Sequence, residues 1–460
     1  MTNIPCTAVI LAAGKGTRMK SSLPKVLHKI GGKSLVQHVI DAAKGAGVSQ
    51  QIVVVGFGGA QVRQALAGQA MFAEQKEQLG TGHAVLQALP QIPTGEGTVM
   101  VLCGDTPLLT VEMLQNLLAE HEAAGAKATV LTAHMPDATG YGRVIRDEAG
   151  QVVKIVEQKD ASPEELAVRE INTGIYCFEQ NALAKALAAT NCNNAQGEYY
   201  LTDVVAILAK AGEKVWAVAA ADYEATSGIN SRRQLAAAEL VLRKRKLDEL
   251  MDQGVTIMDM NSTFIDETVT IGPDTIIYPF TWIEGDTVIG SGCEIGPNSR
   301  LQNCRIRDDV TIHFSYAHDC TVESQAIVGP YAHLRPDTHL AFGVKVGNFV
   351  EVKNSTIGKG SKLPHLSYIG DTDMGEHVNI GCGTITVNYD GYEKHRTTIG
   401  DHAFIGCNSN LVAPVTIEDD TFIAAGSTIT KDVPKGALGV ARSRQTILPG
   451  WTEKMQNKRK

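Results

Sequence analysis

Beyond Val255 the sequence runs with a period of six. Aliphatic residues stand at 271, 277, 283, 289, 295 and 301, again at 322, 328, 334, 340, 346 and 352, and again at 399, 405, 411, 417, 423 and 429. If roughly one residue in three is aliphatic, one such six-fold run arises by chance about once in a thousand starting positions, so three runs exclude accident. A hexapeptide repeat of this kind forms a parallel β-helix of short strands: each repeat supplies one inward side chain, and stacked neighbours bury a continuous core. The phase slips near 306, near 357 and between Thr386 and Ile399. The last gap holds VNYDGYEKHRTT, too polar and glycine-containing for a coil face, and is expected to leave the stack as a loop. After Val440 the repeat is lost, and the basic end is expected to be a frayed, solvated terminus.

The first half obeys a different grammar. TAVILA at 7–12, QIVVV at 51–55 and TVMVL at 98–102 read as buried parallel strands, while Leu35, Val36, Val39, Ile40 and Ala43, and later Leu114, Leu117 and Leu118, fall on helical faces. This predicts a doubly wound α/β domain with a Rossmann-like sheet. KATVLTAHM, RVIRD, QVVKIVE and TGIYCF add strands without regular helices between them, which makes the sheet mixed. NSRRQLAAAELVLRKRKLDELMDQG, rich in Ala, Leu, Glu, Lys and Arg and ending at Gly254, predicts one long linking helix. The expected organisation is an α/β domain over 1–229, a linker helix over 230–254, a hexapeptide β-helix over 255–440 and a tail over 441–460. For 460 residues that is an ordinary domain count.

Charge and cysteine usage exclude whole classes of function. A net charge of −8 argues against nucleic-acid binding, which draws its affinity from basic clusters. Nine cysteines without a CxxC pair fit reduced thiols and argue against a zinc site. The N-terminus lacks a signal peptide's pattern and no run of 18 apolar residues occurs, so a cytoplasmic protein without a membrane span is expected.

Strand TAVILA runs into AGKGTRMKSSLPK. Gly14 and Gly16 let the backbone approach an anion, and Lys15, Arg18 and Lys25 bring three cations to the same turn, so this is a candidate phosphate-binding turn. It is neither a Walker A loop, whose spacer is absent, nor a dinucleotide fingerprint, whose third glycine position holds Met19. CGDTPLL puts Asp105 just past a buried strand, where open α/β sheets bind ligands; a lone carboxylate there is also a common helix cap. A nucleoside triphosphate needs Mg²⁺, which takes one or two protein carboxylates together with phosphate oxygens and waters.

LAAGKGTRM with Leu-Pro-Lys, EQLGTGHA, CGDTPLL, GYGR, IVEQKD, EINTG and GEYYLTD are similar to the sugar-nucleotide pyrophosphorylase domain. Together with the hexapeptide segments VGNFVEVKNS, KGSKLPHLSYIG and NIGCGTITVNYDG, residues 5 to 450 resemble the bacterial bifunctional UDP-N-acetylglucosamine pyrophosphorylase / glucosamine-1-phosphate N-acetyltransferase family. The resemblance implies a left-handed β-helix of triangular coils about 18 residues long. It also implies a nucleotide site. Leu11, Ala12, Ala13 and Gly14 would contact the nucleotide base and turn, Lys25 the phosphates, Gln75, Gly80 and Thr81 the uracil, and Cys103, Gly104 and Asp105 the ribose and metal. Gly142, Glu157 and Asn172 would hold the N-acetylglucosamine moiety, and Asn230 would join Asp105 on Mg²⁺. Cys103 stands where some members have Tyr.

In the β-helix the resemblance assigns Arg335, Lys353, Tyr368 and Asn379 to glucosamine-1-phosphate, and Cys382, Asn388, Tyr389, Cys407, Ala425 and Arg442 to acetyl-CoA. His365 would be the base that removes the sugar amine's proton, a task suited to imidazole at neutral pH, with Glu351 as the carboxylate that orients it. Arg18 and Lys25 would spread phosphate charge in the other reaction, with UTP and acetyl-CoA as co-substrates. Relatives assemble as homotrimers whose acetyl site is shared between chains, and the product serves bacterial cell-wall synthesis. Two other readings stay open at this stage: a pyrophosphorylase whose β-helix serves only assembly, and a non-catalytic scaffold that combines a nucleotidyltransferase fold with a β-helix.

Overall fold

The computed structural model describes residues 5–459, which form two compact units divided between Leu242 and Arg243. In the first, seven strands form a sheet in the order Val215–Ala219, Ala128–His134, Glu170–Glu179, Thr98–Cys103, Cys6–Ala12, Gln50–Val55, Met71–Glu74. The four strands from Thr98–Cys103 to Met71–Glu74 run parallel, so Ala12, Val55, Glu74 and Cys103 end on one edge. The long strand Glu170–Glu179 is antiparallel to both neighbours and carries the hairpin Arg143–Arg146/Val152–Val156. Its register shifts between Asn172 and Ile175 at Gly174, φ +80°. Such a bulge re-aims side chains beside a site.

Helices cover both faces. Leu35–Gly45 and Val111–Ala124 pack on one face, and Thr81–Ala88, Gln180–Ala188 and Thr202–Lys210 on the other. Leu35–Gly45 shows why: Ser34 Oγ accepts from the Gln37 N–H at its start, and Leu35, Val36, Val39, Ile40 and Ala43 form its buried stripe. The expected linker helix runs from Arg232 to Asp252. No helix among the described residues is long and apolar enough to cross a membrane.

The second unit is a left-handed β-helix of two- and three-residue strands paired in parallel with the coils above and below. The period-six aliphatics all point inward, and Ile277, Ile283, Leu301, Leu334, Ile405 and Leu411 are fully buried. Each buried aliphatic contributes about 1.5–3 kcal/mol of transfer free energy. Two positions before half of them sits a buried Thr or Ser, and such a hydroxyl can close the corner on a backbone carbonyl, as Thr275 Oγ1 does on Gly290 (2.9 Å) ahead of Ile277 and Ser361 Oγ on Gly375 (2.8 Å) ahead of Leu363. The phase slips are changes of coil length. Phe264 pairs with Trp282, Val288 with Arg305, Arg300 with Tyr316, and Thr372 with Thr397, so coils of 18, 17, 16 and 25 residues occur. The 25-residue coil carries the polar loop between Val387 and Thr397 as an excursion. The tail departs from expectation, since Trp451–Asn457 is an exposed helix starting after Gly450, built from good helix formers.

Candidate functional site

In the first unit, ten residues singled out from sequence line one cleft of about 300 Å³ beside the ends of the parallel strands: Leu11, Ala12, Ala13, Gly14, Lys25, Gln75, Gly80, Thr81, Cys103 and Asp105. The Gly104 N–H donates to Leu11 O at 2.9 Å, clasping the 103–105 segment to the first strand; a Cβ at Gly104 would lie 3.0 Å from that oxygen. The Gln75 side chain is buried, with Nε2 donating to Gly80 O (3.0 Å) and lying 3.1 Å from His83 Nδ1. Gly82 and Tyr199 complete this wall, since the Gly82 N–H donates to Tyr199 O and the Tyr199 N–H to Leu79 O, both at 2.8 Å. Gln78 and Glu198 also line the cleft and were assigned no role from sequence. They sit inside EQLGTGHA and GEYYLTD, so the motifs already contained the signal.

Lys25 opens a short 3₁₀ turn after Pro24. Its Nζ donates to Asp105 Oδ2 in a short contact and to Asn230 Oδ1 at 3.0 Å. Two oxygens that are 125 residues apart in sequence therefore converge on one cation. A Cβ on Gly228 would come within 3.3 Å of Asp105 Oδ2, so the 228–230 backbone approaches the carboxylate closely. Among the described residues no three His, Cys, Asp or Glu side chains gather to hold a metal. A carboxylate and an amide oxygen suit a hard divalent cation that completes its shell with water and phosphate. The structure does not bring Arg18 into the cleft lining: the turn leaves it exposed on Thr17–Met19.

Gly142, Glu157 and Asn172 form an adjoining group outside that lining. The Asn172 N–H donates to Gly142 O (2.9 Å), and Asn172 Oδ1 accepts from the Gly174 N–H (3.0 Å). Gly174 O in turn faces Cys103 Sγ at 3.5 Å, which links the group to the cleft. Burial pushes the Cys103 thiol up to about 12, assisted by the Asp105 charge and opposed by Lys25, so it stands as a neutral thiol rather than a nucleophile. Burial raises Glu157 above its ordinary value against a hydrogen bond from Thr202, and the negative charges of Asp160, Asp203 and Glu198 add to the rise.

In the β-helix, two long strands, Lys345–Lys353 and Lys362–Gly370, run across a corner between two faces. On one face Tyr316, His333, Glu351 and Tyr368 stack in successive coils, with Arg335 directly below Lys353 beside them. Asn379 lies on the neighbouring face, in the column of Lys362 and Phe404. His365 stands at the corner between them.

The expected pairing of His365 with Glu351 is corrected. His365 Nδ1 lies 2.7 Å from Asn348 Oδ1, one coil below, because the step here is 17 residues. Glu351 is held instead by Arg335 Nη1 at 2.7 Å. Lys353 Nζ donates to both oxygens of Asp371 at 3.1 Å, and Asn354 and Asn388 also donate to that carboxylate. Burial by itself would raise Asp371; the hydrogen bonds from Asn354, Asn388 and Lys353 outweigh it and hold the carboxyl below its ordinary value. Asn388 is buried in this cluster and also reaches Tyr368 Oη at 3.4 Å, whereas Tyr389 is exposed on the loop. Asn348 and Asp371 were not singled out from sequence.

Cys382, Cys407 and Ala425 follow each other in successive coils, Ile380 pairing with Ile405 and Ile405 with Ile423. Arg442 Nη1 donates to Ala425 O at 2.8 Å, which brings the last member of the expected acetyl-CoA set onto this column. Both cysteines are free thiols, Cys407 exposed.

Comparisons with known proteins match both units. Residues 8–152 fit the MobA-like NTP transferase domain, and residues 268–303 and 396–431 fit the bacterial transferase hexapeptide model. Proteins described as bifunctional protein GlmU align along nearly the whole chain. That of Heliobacterium modesticaldum is 57% identical over 96% of each chain, that of Geobacillus sp. (strain WCH70) 53% over 98% of each, and that of Clostridioides difficile (strain 630) 52% over 98% of each.

Proposed function

The chain belongs to the family of bifunctional GlmU proteins, and we infer that each unit carries one of two consecutive transfer reactions. The β-helix transfers acetyl from acetyl-CoA to glucosamine-1-phosphate, and the α/β unit transfers uridylyl from UTP to the N-acetylglucosamine-1-phosphate so formed, releasing pyrophosphate. The observation that carries this reading is the identity of more than half of the residues, across both units, with nearly full-length proteins described as bifunctional.

In the uridylyl reaction a phosphate oxygen of the sugar phosphate attacks the α-phosphorus of UTP in line, so positioning and charge neutralisation carry the catalysis. With Nε2 engaged, Gln75 offers Oε1 to the imide N–H of uracil. Gly14 and Gly104 let the nucleotide approach the backbone, and Glu157 and Asn172 receive the sugar. Lys25 and Arg18 neutralise phosphate oxygens. Asp105 and Asn230 would hold Mg²⁺, which when bound supplies further neutralisation of the phosphates.

In the acetyl reaction Arg335 and Lys353, one coil apart, take the sugar phosphate. Asn348 Oδ1 accepts the Nδ1–H of His365, leaving the Nε2 lone pair to remove the proton of the sugar amine as it attacks the thioester carbonyl. The departing thiolate takes up a proton as coenzyme A. The column Cys382, Cys407, Ala425 and Arg442, with Tyr389 beside it, receives the acetyl-CoA. Tyr331, Phe349 and Leu366, each more than half exposed at corners beside His365, support assembly of three copies with the acetyl site shared between chains. Free thiols throughout and the absence of a membrane-crossing helix among the described residues support a cytoplasmic setting.

One purified sample tests both assignments. Thiol release from acetyl-CoA with glucosamine-1-phosphate, and pyrophosphate release from UTP with Mg²⁺ and N-acetylglucosamine-1-phosphate, are measured with His365→Ala and Asp105→Ala. Each substitution is expected to abolish its own reaction only; thiol release that survives His365→Ala removes His365 as the base.

A further inference from the structure

The Lys25 ammonium occupies the one point where Asp105 Oδ2 and Asn230 Oδ1 converge. Both ends of the ion pair are largely sheltered, at 14% and 17% side-chain exposure, so solvent screens it little. A divalent ion using the same two oxygens cannot share them with an ammonium. The root of the lysine stem packs against a left-handed turn at Gly16, φ +59°, where a Cβ would lie 2.6 Å from Lys25 Cβ. From there the side chain reaches Asp105 and Asn230 with Nζ. The cleft it borders is the one that receives the phosphates.

We propose that Lys25 is a placeholder cation: it holds the metal oxygens until a nucleotide phosphate draws its ammonium away, so that the divalent ion and the nucleotide enter as coupled ligands. This rests on the reading of Asp105 and Asn230 as metal ligands. Without nucleotide, a metal must displace a buried, doubly hydrogen-bonded ammonium and binds weakly. With nucleotide, the phosphate supplies Nζ with a new anionic partner and returns the two oxygens to the metal. Linkage makes the coupling reciprocal, so bound metal also favours nucleotide by releasing Lys25 to phosphate. The site thereby rejects stray divalent cations in the unliganded enzyme, and the same lysine that neutralises charge in the reaction sets the order of assembly.

The test is metal binding without turnover. Mn²⁺ is titrated into the full-length protein in the absence of nucleotide, and free Mn²⁺ is read by electron paramagnetic resonance for wild type, Lys25→Met, Lys25→Gln, Asp105→Asn and Lys25→Met/Asp105→Asn, each checked for native circular dichroism. Two neutral replacements guard against misfolding of one. The expected result is at least tenfold tighter Mn²⁺ binding in the Lys25 single variants than in wild type, lost in the double variant. If the Lys25 variants match wild type within twofold while Asp105→Asn weakens binding, the metal site stands and the placeholder is overturned. If the double variant binds as tightly as Lys25→Met, or no variant binds Mn²⁺, the metal reading itself is overturned.

Discussion

Asn348 Oδ1 and His365 Nδ1 lie 2.7 Å apart on adjacent coils, a distance that makes the asparagine the imidazole's orienting partner. Asn348→Ala is therefore expected to lower kcat for acetyl transfer by roughly tenfold to a hundredfold, part of the range a general base supplies. Uridylyl transfer should be unchanged, and Asn348→Asp, which keeps an acceptor oxygen, should retain more activity than the alanine. Steady-state kinetics of both reactions on the three proteins checks this; equal activity of Asn348→Ala and wild type would return the orienting role to another group.

Gly16 tests the packing at the root of Lys25. Gly16→Ala places a Cβ against Lys25 Cβ at 2.6 Å and forces an L side chain to φ +59°, a cost of about 1 kcal/mol or more before the clash. The expected outcome is a drop of tenfold or more in kcat/KM for pyrophosphate release with acetyl transfer intact. Retained uridylyl kinetics would show that the turn can re-form around the methyl group.

Asp371 predicts an acid limit for the β-helix. Its folded pKa lies below the ordinary value, so its contribution is present above the unfolded pKa, near 4, and is lost as pH falls through the lower, folded one. Breaking the buried pair with Lys353 by Asp371→Ala costs about 3 kcal/mol, read as a melting temperature lower by about 10 °C. Asp371→Asn should melt with a shallower pH slope below pH 4 than wild type, and parallel slopes would remove Asp371 from the acid transition.

Glu157 predicts the opposite sign. Burial raises its folded pKa, so the native state holds the proton more tightly, and stability falls as pH rises from the unfolded pKa through the folded one. Glu157→Gln relieves the ionised carboxylate at neutral pH, and its melting temperature at pH 7 should rise by about 1–3 °C while KM for N-acetylglucosamine-1-phosphate increases. A lower melting temperature with unchanged KM would contradict both halves.

The parts that could be read from sequence share a physical cause. Ile277, Ile283 and Ile289 announce the β-helix because an inward residue recurs once per strand, and Ala8 to Ala12 announce the sheet because a strand covered on both faces is apolar throughout. Arg335 and Lys353 were identifiable as neighbours because their coil step is 18 residues. Asn348 was not: at a step of 18 the partner of His365 would be Gly347, and the actual step of 17 emerges only once the phase slip near 357 is read as one residue lost from the coil that joins them. Asp371 was hidden for the same reason, since Asn354 and Asn388 each stand 17 residues from it, one coil to either side, and not 18. Asn230 came to light through resemblance alone, since nothing local in Gly228–Ser231 marks a residue that meets Asp105.

Parallel strands stack about 4.8 Å apart, so the face that bears Arg335, Lys353 and Tyr368 is a ruler with fixed graduations. Corners can gain or lose residues, as the 16-, 17- and 25-residue coils show, without moving any functional group along the axis. Reach between the Arg335 and Lys353 pair and the column of Cys382, Cys407 and Ala425 therefore changes only in whole steps, by adding or removing an entire turn of the prism. Substitution can alter the groups at each mark, while the distances between marks stay set by the backbone.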